Sequence, residues 1–462
     1  MQTVITALVL AFIFRAFMVE AFIIPTGSMA QGLMGAHTTR TCSACGWEYD
    51  FLPGRDCFCP NCHLREPLAA ENAPLKAGDR ILVHKWPFAI GGMFRPQRWD
   101  VIVFRCPFDP SENYIKRLVG LPGEAIEIID GDLFIDGRIQ RKTPAAQSQL
   151  WFLVFDQRFF PRRDTLAYDG PRWVADGRTH DTTGWTNLDA RVIRYQGLDD
   201  QQRSIHFRPG NDWRYFQDVY AYNRGTSRSP APFVGDMRIV TEMTLQAGEG
   251  DCLWELIRDD HRFAASVQRS GAVALHLANQ DGTWQHLLEA ELPPFELQRP
   301  YVIEFGHVDY QVYLKIDNRQ ILATTDAEYQ PDRDALLHLQ RTQPLQLRIA
   351  SRALDLDLRG LRIDRDVYYT YVRGQTRRAF PGNMFVLKPD EYFVLGDNSP
   401  FSQDSREWTE RGFHLPADYR LGTVPVDQIV GPAAFVYLPG LLPLDSEGRW
   451  QLPDLGRVRF VR

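Results

Sequence analysis

Apolar residues recur at every second position in many short runs of this chain, and that period constrains its fold more than any other feature. Val273, Leu275 and Leu277 lead to an Asp281-Gly282 turn, and Val312, Leu314 and Ile316 lead to Asp317-Asn318. Leu345, Leu347 and Ile349, then Leu354, Leu356 and Leu358, keep the same rhythm. Successive side chains of a strand point to opposite faces, so this period puts one face of each segment in a core and the other in water. Turn residues between such runs argue for sheet packed on sheet, and the reading is an inserted β-sandwich domain over residues 148–366. With 30 prolines, 34 glycines and 12% aromatic residues, the whole chain reads as mainly β. Its 462 residues exceed one ordinary core, so several folding units are expected.

The segments flanking the sandwich carry a second set of strand signals. Leu75 to Lys85 enters a strand from a turn, Trp99 to Arg105 is a second, and Tyr114 to Val119 a third that stops at Gly120, Pro122 and Gly123. Ala125 to Ile139 alternates around Asp130-Gly131 and Asp136-Gly137, a hairpin pattern. Together they predict a small, strongly bent sheet, built from residues 25–147 and 367–462 on either side of the insertion. The two ends of the insertion return to one hairpin, near Gln147 and Val367, so the sandwich is expected to be separable from that sheet.

The N-terminus is the membrane candidate. Val4 to Phe14 is apolar throughout, then Arg15 and Glu20 interrupt before Phe22-Ile23-Ile24. The fourteen residues before Arg15 would cover roughly 21 Å as a helix, short of the ~30 Å of hydrocarbon. A cleaved secretory signal lacks its basic n-region and its small-x-small site here, and a buried core helix is the other alternative. The preferred reading is a single-pass N-terminal membrane anchor helix over residues 1–24, with Arg15 snorkelling to an interface.

Cysteines mark a further unit. Cys42-Ser-Ala-Cys45 and Cys59-Pro-Asn-Cys62 are two Cys-x-x-Cys knuckles thirteen residues apart, and four thiolates at that spacing surround one tetrahedral zinc. A structural zinc on Cys42, Cys45, Cys59 and Cys62 is expected within residues 42–63. Cys57 and His63 adjoin the second knuckle as alternative ligands, and disulfides are the alternative chemistry. Cys106 and Cys252 stand alone and read as small buried hydrophobes.

With 52 basic and 58 acidic residues the net charge is −6, and no basic run argues for a nucleic-acid partner. The chemistry lies instead in three distant segments: Ile24-Pro25-Thr26-Gly27-Ser28-Met29, Tyr114-Ile115-Lys116-Arg117-Leu118-Val119, and Gly396-Asp397-Asn398-Ser399-Pro400-Phe401-Ser402-Gln403-Asp404-Ser405-Arg406. In this order they resemble the type I signal peptidases, membrane-bound serine proteases of β-barrel-like catalytic fold. The matching pattern covers residues of about 20–41, 76–142 and 380–440.

The resemblance implies roles that elementary chemistry makes sense of. Ser28 would be the nucleophile and Lys116 its general base, which requires the lysine to be neutral and therefore buried among groups such as Ile115, Leu118 and Val119. Ser402 would hold the amine, Asp404 and Arg406 would brace the Gly-Asp-Asn turn, and the Ser28 N–H with the Thr26 hydroxyl would meet the oxyanion. Ile24, Pro25, Met29, Leu33, Tyr114 and Ile115 would line pockets for small residues at −1 and −3 of exported preproteins carrying signal peptides. No catalytic cofactor is implied. The implied location is the cytoplasmic membrane, in contact with lipid, with the catalytic sheet on the outer face. One departure is that Ala30-Gln31-Gly32-Leu33 stands where the family has Pro-Thr-Leu after Ser-Met, which leaves the turn less rigid.

The later half of the insertion, Asp236 to Ile363, loosely resembles the concanavalin or laminin-G jelly roll in strand rhythm. The aromatic run Trp213-Arg214-Tyr215-Phe216 suggests a glycan or envelope ligand, against the commoner fate of core packing. Two other functions compete with a signal peptidase. One is a self-cleaving Ser-Lys protease, disfavoured by the apolar N-terminus and the lack of a helix-turn-helix pattern. The other is a non-catalytic envelope-binding protein, disfavoured by the intact Ser28, Lys116 and Ser402.

Overall fold

The computed structural model describes residues 6, 19–52, 57–66, 75–85, 95–177, 184–209, 216–223, 231–258, 261–278, 282–339, 341–372, 374–443, 451–453 and 455–461. The anchor helix expected over residues 1–24 lies mostly outside these, and its last part is not helical. Val19–Ile23 is a strand, paired antiparallel with Arg80–His84. Its alternation explains this: Phe22 turns toward the core under the turn that carries Ser28, while Glu20 meets Lys85 at 3.0 Å at the rim. Among the described residues no helix is long and apolar enough to cross a membrane.

The strand runs along the edge of an antiparallel eight-stranded sheet in which sequence-distant segments become neighbours. Val19–Ile23 is followed by Arg80–His84, Ile429–Leu438, Val101–Arg105, Asn113–Gly120, Glu391–Leu395 and Val424–Pro425, with Arg459–Phe460 on Ile429–Leu438. Register shifts in Ile429–Leu438 against Arg80–His84 and Val101–Arg105 bend the sheet. One face buries Ile81, Val83, Val101, Val103, Ala433 and Val436, and the other Ile102, Phe104, Leu118, Val394 and Trp408. Such a strand is apolar on both faces because both are covered. A smaller sheet of Ala125–Ile129, Asp132–Ile135, Arg138–Ile139 and Phe385–Val386 lies beside it.

Among the described residues the insertion forms one network of thirteen strands. Its spine is a pair of long antiparallel strands, Met237–Arg258 and Gln346–Arg365, that pair along their length. Each carries different partners on its two halves: Met237–Thr244 pairs Pro300–Val308, whereas Asp251–Arg258 pairs His261–Gln268. Between the halves the buried positions change parity, from Met243 and Leu245 to Cys252, Trp254 and Leu256. Register shifts at Leu245/Ala247 and Gly248/Asp251 produce the change. The partner strand does likewise, from Leu347 and Ile349 to Leu354, Leu356 and Leu358, through Ala353 at φ 51°. Both halves thus turn their apolar faces into one core containing Trp173, Trp185, Trp254 and Phe305. Each such side chain contributes roughly 1.5–3 kcal/mol on burial.

The seam between the sandwich and the two flanking sheets is ionic as well as apolar. Asp132, Asp236, Asp309 and Asp366 bring carboxylate oxygens within 4.8 Å of one another. The Lys142 ammonium binds both Asp309 and Asp366, and Arg258 binds Asp236 at 2.7 Å and Asp130 at 2.8 Å. The protein's own cations therefore occupy the cluster and tie the two parts together. Phe152 and Tyr220 of the insertion belong to the same core as Trp99, Val119, Ile126 and Phe393 of the flanking segments. The insertion thus shares a buried core with the part that carries the eight-stranded sheet.

Candidate active site

Ser28 follows the edge strand directly, in the turn that Pro25 and Gly27 begin, and Lys116 lies on Asn113–Gly120. Tertiary pairing brings them together: Lys116 Nζ donates to Ser28 Oγ at 2.6 Å. Ser28 is 8% and Lys116 4% exposed. Burial pulls the Lys116 amine down to about 8, although Asp404 and Asp397 pull the other way. A lysine in that range is partly neutral near physiological pH and can accept the serine proton. The Thr26 hydroxyl lies 3.5 Å from Ser28 Oγ, on the exposed side of the turn.

The third segment closes around this pair. Arg406 binds Asp404 through Nε at 2.9 Å and Nη2 at 2.8 Å, both side chains fully enclosed. Asp404 also accepts the Gly396 N–H at 3.0 Å. Burial works to raise the Asp404 carboxyl, but Arg406 beside it holds it below the usual carboxylate range. Arg406 further donates to the Thr370 carbonyl at 2.7 Å and to Ser399 Oγ at 2.9 Å, so the pair ties the loop to the segment at Thr370. Ser402 is placed differently: among the described residues its buried Oγ makes no hydrogen bond to Lys116 or to any other group. It lies against Gly396, where a Cβ would come within 2.2 Å of Ser402 Oγ and 2.6 Å of the Ser28 carbonyl oxygen. Only glycine permits that approach.

Of the residues read as pocket lining, Ile24, Met29, Leu33 and Ile115 are buried in the core beneath the turn. Pro25 is exposed. Tyr114 is half-buried, edge-on to Phe108, with Lys116 Nζ 5.5 Å from its ring centre.

Some residues of the site escaped the sequence reading. Arg117, next to Lys116, forms a buried ion pair with Asp397 at 2.8 Å. Asn398 donates its backbone N–H to the Ser28 carbonyl at 3.0 Å and its Nδ2 to the Gly27 carbonyl at 2.8 Å. Both lie in segments already singled out, so adjacency to Lys116 and the Asp-Asn pair were usable signals. Asn223 and Tyr222, which also reach the site, sit inside the insertion, where no local pattern marks them.

The four knuckle cysteines converge as their spacing predicts. Cys42 and Cys62 Sγ are 3.5 Å apart, as are Cys45 and Cys59 Sγ, and all four are free thiols. That separation suits a tetrahedron with ~2.3 Å metal–sulfur bonds, so the donor set fits zinc. In each knuckle the first cysteine carbonyl accepts an N–H four residues on, Gly46 to Cys42 and His63 to Cys59, both at 2.9 Å. Cys57 points elsewhere, to the Tyr49 hydroxyl at 3.5 Å and to Arg40. The knuckle docks on the insertion: Asn61 accepts the Asp156 N–H at 2.6 Å and donates to the Phe159 carbonyl at 2.8 Å, and Trp47 meets Phe159 edge-on. Of the run suspected of binding glycan, Phe216 is buried in the sandwich core, and Trp213 to Tyr215 lie outside the described residues.

Comparison with known proteins agrees with this geometry. The family model described as signal peptidase, peptidase S26, matches residues 66–164 and 324–438, ranges that hold Lys116 and the Gly396 to Arg406 loop but begin after Ser28. Signal peptidase I of Pseudomonas fluorescens is 43% identical over 81 residues, 15% of this chain and 28% of that protein. Signal peptidase I of Rickettsia massiliae is 31% identical over 165 residues, 34% of this chain and 52% of that protein. The chain thus spans about half or less of the length of these relatives. Among solved structures it is similar to a carbohydrate-binding module of Bacillus subtilis at 11% identity, covering 42% of this chain and 97% of that one. The TM-score of 0.27 is too low for that likeness to bear on the fold or a ligand. The matched ranges contain the lysine strand and the bracing loop, and the fold adds the serine in hydrogen-bond contact with that lysine: over these ranges the chain is similar to the signal peptidase, peptidase S26 family.

Proposed function

We propose that this protein is a membrane-associated serine endopeptidase that removes N-terminal signal peptides from exported preproteins, cutting after small residues at −3 and −1. The observation that carries the reading is the 2.6 Å contact between Ser28 Oγ and a buried lysine whose amine is held at about 8. Ser28 attacks the scissile carbonyl while Lys116 takes its proton, and the same lysine returns that proton to the leaving amine. Water then hydrolyses the acyl-enzyme with Lys116 again as base. The Ser28 N–H and the Thr26 hydroxyl receive the oxyanion, and Ser402 supports the loop behind the lysine. No catalytic metal or organic cofactor enters this scheme, and zinc on the four cysteines serves the fold.

The substrate has a natural place to lie. Asn113–Gly120 pairs Val101–Arg105 on one side, but on the other its partner Glu391–Leu395 reaches only Arg117, Leu118 and Gly120. Among the described residues, Asn113 to Lys116 therefore present an open edge beside the dyad, suited to a peptide adding as a strand. By this reading the exposed Pro25 and the half-buried Tyr114 would meet the peptide, above the buried cluster of Ile24, Met29, Leu33 and Ile115. The catalytic sheet would then face the outer side of the cytoplasmic membrane. The test is cleavage of a purified preprotein by the full chain, with Ser28→Ala as control. Cut at the signal junction by wild type and not by Ser28→Ala supports the reading, and equal activity of both refutes it.

A further inference from the structure

Residues 216–223 leave the sandwich and run back over the catalytic part, and their side chains reach the nucleophile turn. Asn223 and Asn398 form a reciprocal carboxamide pair: Asn223 Nδ2 donates to Asn398 Oδ1 at 2.6 Å, and Asn398 Nδ2 to Asn223 Oδ1 at 2.7 Å. A primary amide has two N–H donors, and the other one on Asn398 goes to the Gly27 carbonyl at 2.8 Å. Both side chains are buried, Asn223 2% and Asn398 1% exposed. Tyr222 covers the turn from the same side, packed with Ala30 and Met34. A Cβ on Gly27 would come within 1.9 Å of the Tyr222 ring.

The Gly27 carbonyl and the Ser28 N–H belong to one planar trans peptide and point in opposite directions. Holding the Gly27 oxygen on Asn398, together with the Ala30 N–H at 3.0 Å, therefore aims the Ser28 N–H the other way, toward the place where the oxyanion forms. Asn398 can hold it only while its own amide plane is fixed, and Asn223 fixes that plane. We infer that Asn223 and Tyr222 of the inserted domain are positioning residues that orient the Ser28 N–H for acylation, so the insertion is a working part of the active site. This inference rests on the Ser28–Lys116 reading above.

The test uses the full chain and a fluorogenic peptide with alanine at −3 and −1. Asn223→Ala is expected to lower kcat about tenfold, a fraction of the ~10²–10³ that loss of a whole oxyanion donor costs. KM is expected to stay within about twofold and the midpoint of the pH–kcat profile to stay put, because neither the substrate edge nor Lys116 is touched. On an Asn398→Ala background the same substitution is expected to cost nothing further, since the two act as one unit. Independently of how Asn223→Ala folds, Gly27→Ala is expected to be nearly inactive and Gly27→Ala/Tyr222→Ala to regain activity. Undiminished kcat in Asn223→Ala, an equal loss on both backgrounds, or no recovery in the Tyr222 double variant overturns the positioning role while leaving the dyad intact. A wild-type chain that fails to cut the peptide, or a Ser28→Ala chain that cuts it, overturns the dyad reading and the positioning role with it.

Discussion

Arg117 and Asp397, 280 positions apart in the chain, meet as a doubly bonded ion pair, Nε to Oδ1 and Nη2 to Oδ2, both at 2.8 Å. The pair ties the lysine strand to the loop that carries Asn398, and neither side chain is more than 2% exposed. Removing one partner of a buried pair strands the other charge and typically costs ~3–5 kcal/mol. Asp397→Ala should therefore lower the urea midpoint strongly, and Arg117→Lys should not restore it to wild type, because an ammonium cannot make both bonds. A midpoint within error of wild type in Asp397→Ala would show that the pair does not hold the two segments together.

Turnover should follow the ionisation of Lys116. Its amine is held at about 8 by burial, so kcat is expected to rise with pH through about 8 and level above it as the neutral fraction grows. Lys116→Arg should be inactive at every pH, since a guanidinium stays protonated. Steady-state kinetics across that range check both, and a flat profile counts against the lysine as base.

The same lysine costs stability. A folded-state value of about 8 against 10.5 corresponds to about 3 kcal/mol carried by the charged form in the fold. Between those values the unfolded chain binds more protons, so this cost is complete below about 8 and disappears as pH rises toward 10.5. Lys116→Met should accordingly be inactive yet more stable than wild type at pH 7, by up to that amount, with the difference closing at high pH. Denaturation at the two pH values measures it, and a gap that widens with pH would contradict the assignment.

Zinc on the knuckle should act on the fold first and on catalysis second. Four thiolates holding zinc supply ~10–16 kcal/mol to a segment with little core of its own. Chelation or Cys42→Ser should release residues 42–62 to rapid amide exchange while the catalytic sheet stays protected. Activity should fall part of the way, because Leu52 packs with Tyr222 over Ala30 and Met34. Elemental analysis without zinc, or a disulfide among the four in the native protein, would exclude this account.

Excision of residues 148–366 with a short Gly/Ser bridge should fail to give a folded enzyme. It removes Phe152 and Tyr220 from the catalytic core, strips Asp309 from Lys142, and takes away the Asp218 carboxylate that accepts the Thr370 hydroxyl at 2.6 Å. Circular dichroism and cleavage of the excised chain decide the matter. A cooperative unfolding transition with wild-type turnover would return the sandwich to the status of an accessory.

The residue order alone determined the β class and the cysteine quartet, because each is written locally, in strand alternation and in knuckle spacing. The Ser28–Lys116 pair was instead an expectation carried by a family resemblance, and their contact is a product of the fold. The errors of the sequence reading lay where local signals run out. The end of the apolar N-terminal run gave no sign that Val19–Ile23 would pair with Arg80–His84 as an edge strand, since hydropathy records burial but not the partner that provides it. The alternating runs at Leu345–Ile349 and Leu354–Leu358 read as two strands, whereas Ala353 in a left-handed conformation shifts the phase within one strand of 20 residues. Only the tertiary structure decided that the insertion shares the catalytic core, that Arg117 binds Asp397, and that Asn223 grips Asn398. Each depends on groups far apart in sequence meeting in a buried place, where an unpaired charge or amide is costly and its partner is chosen by the fold.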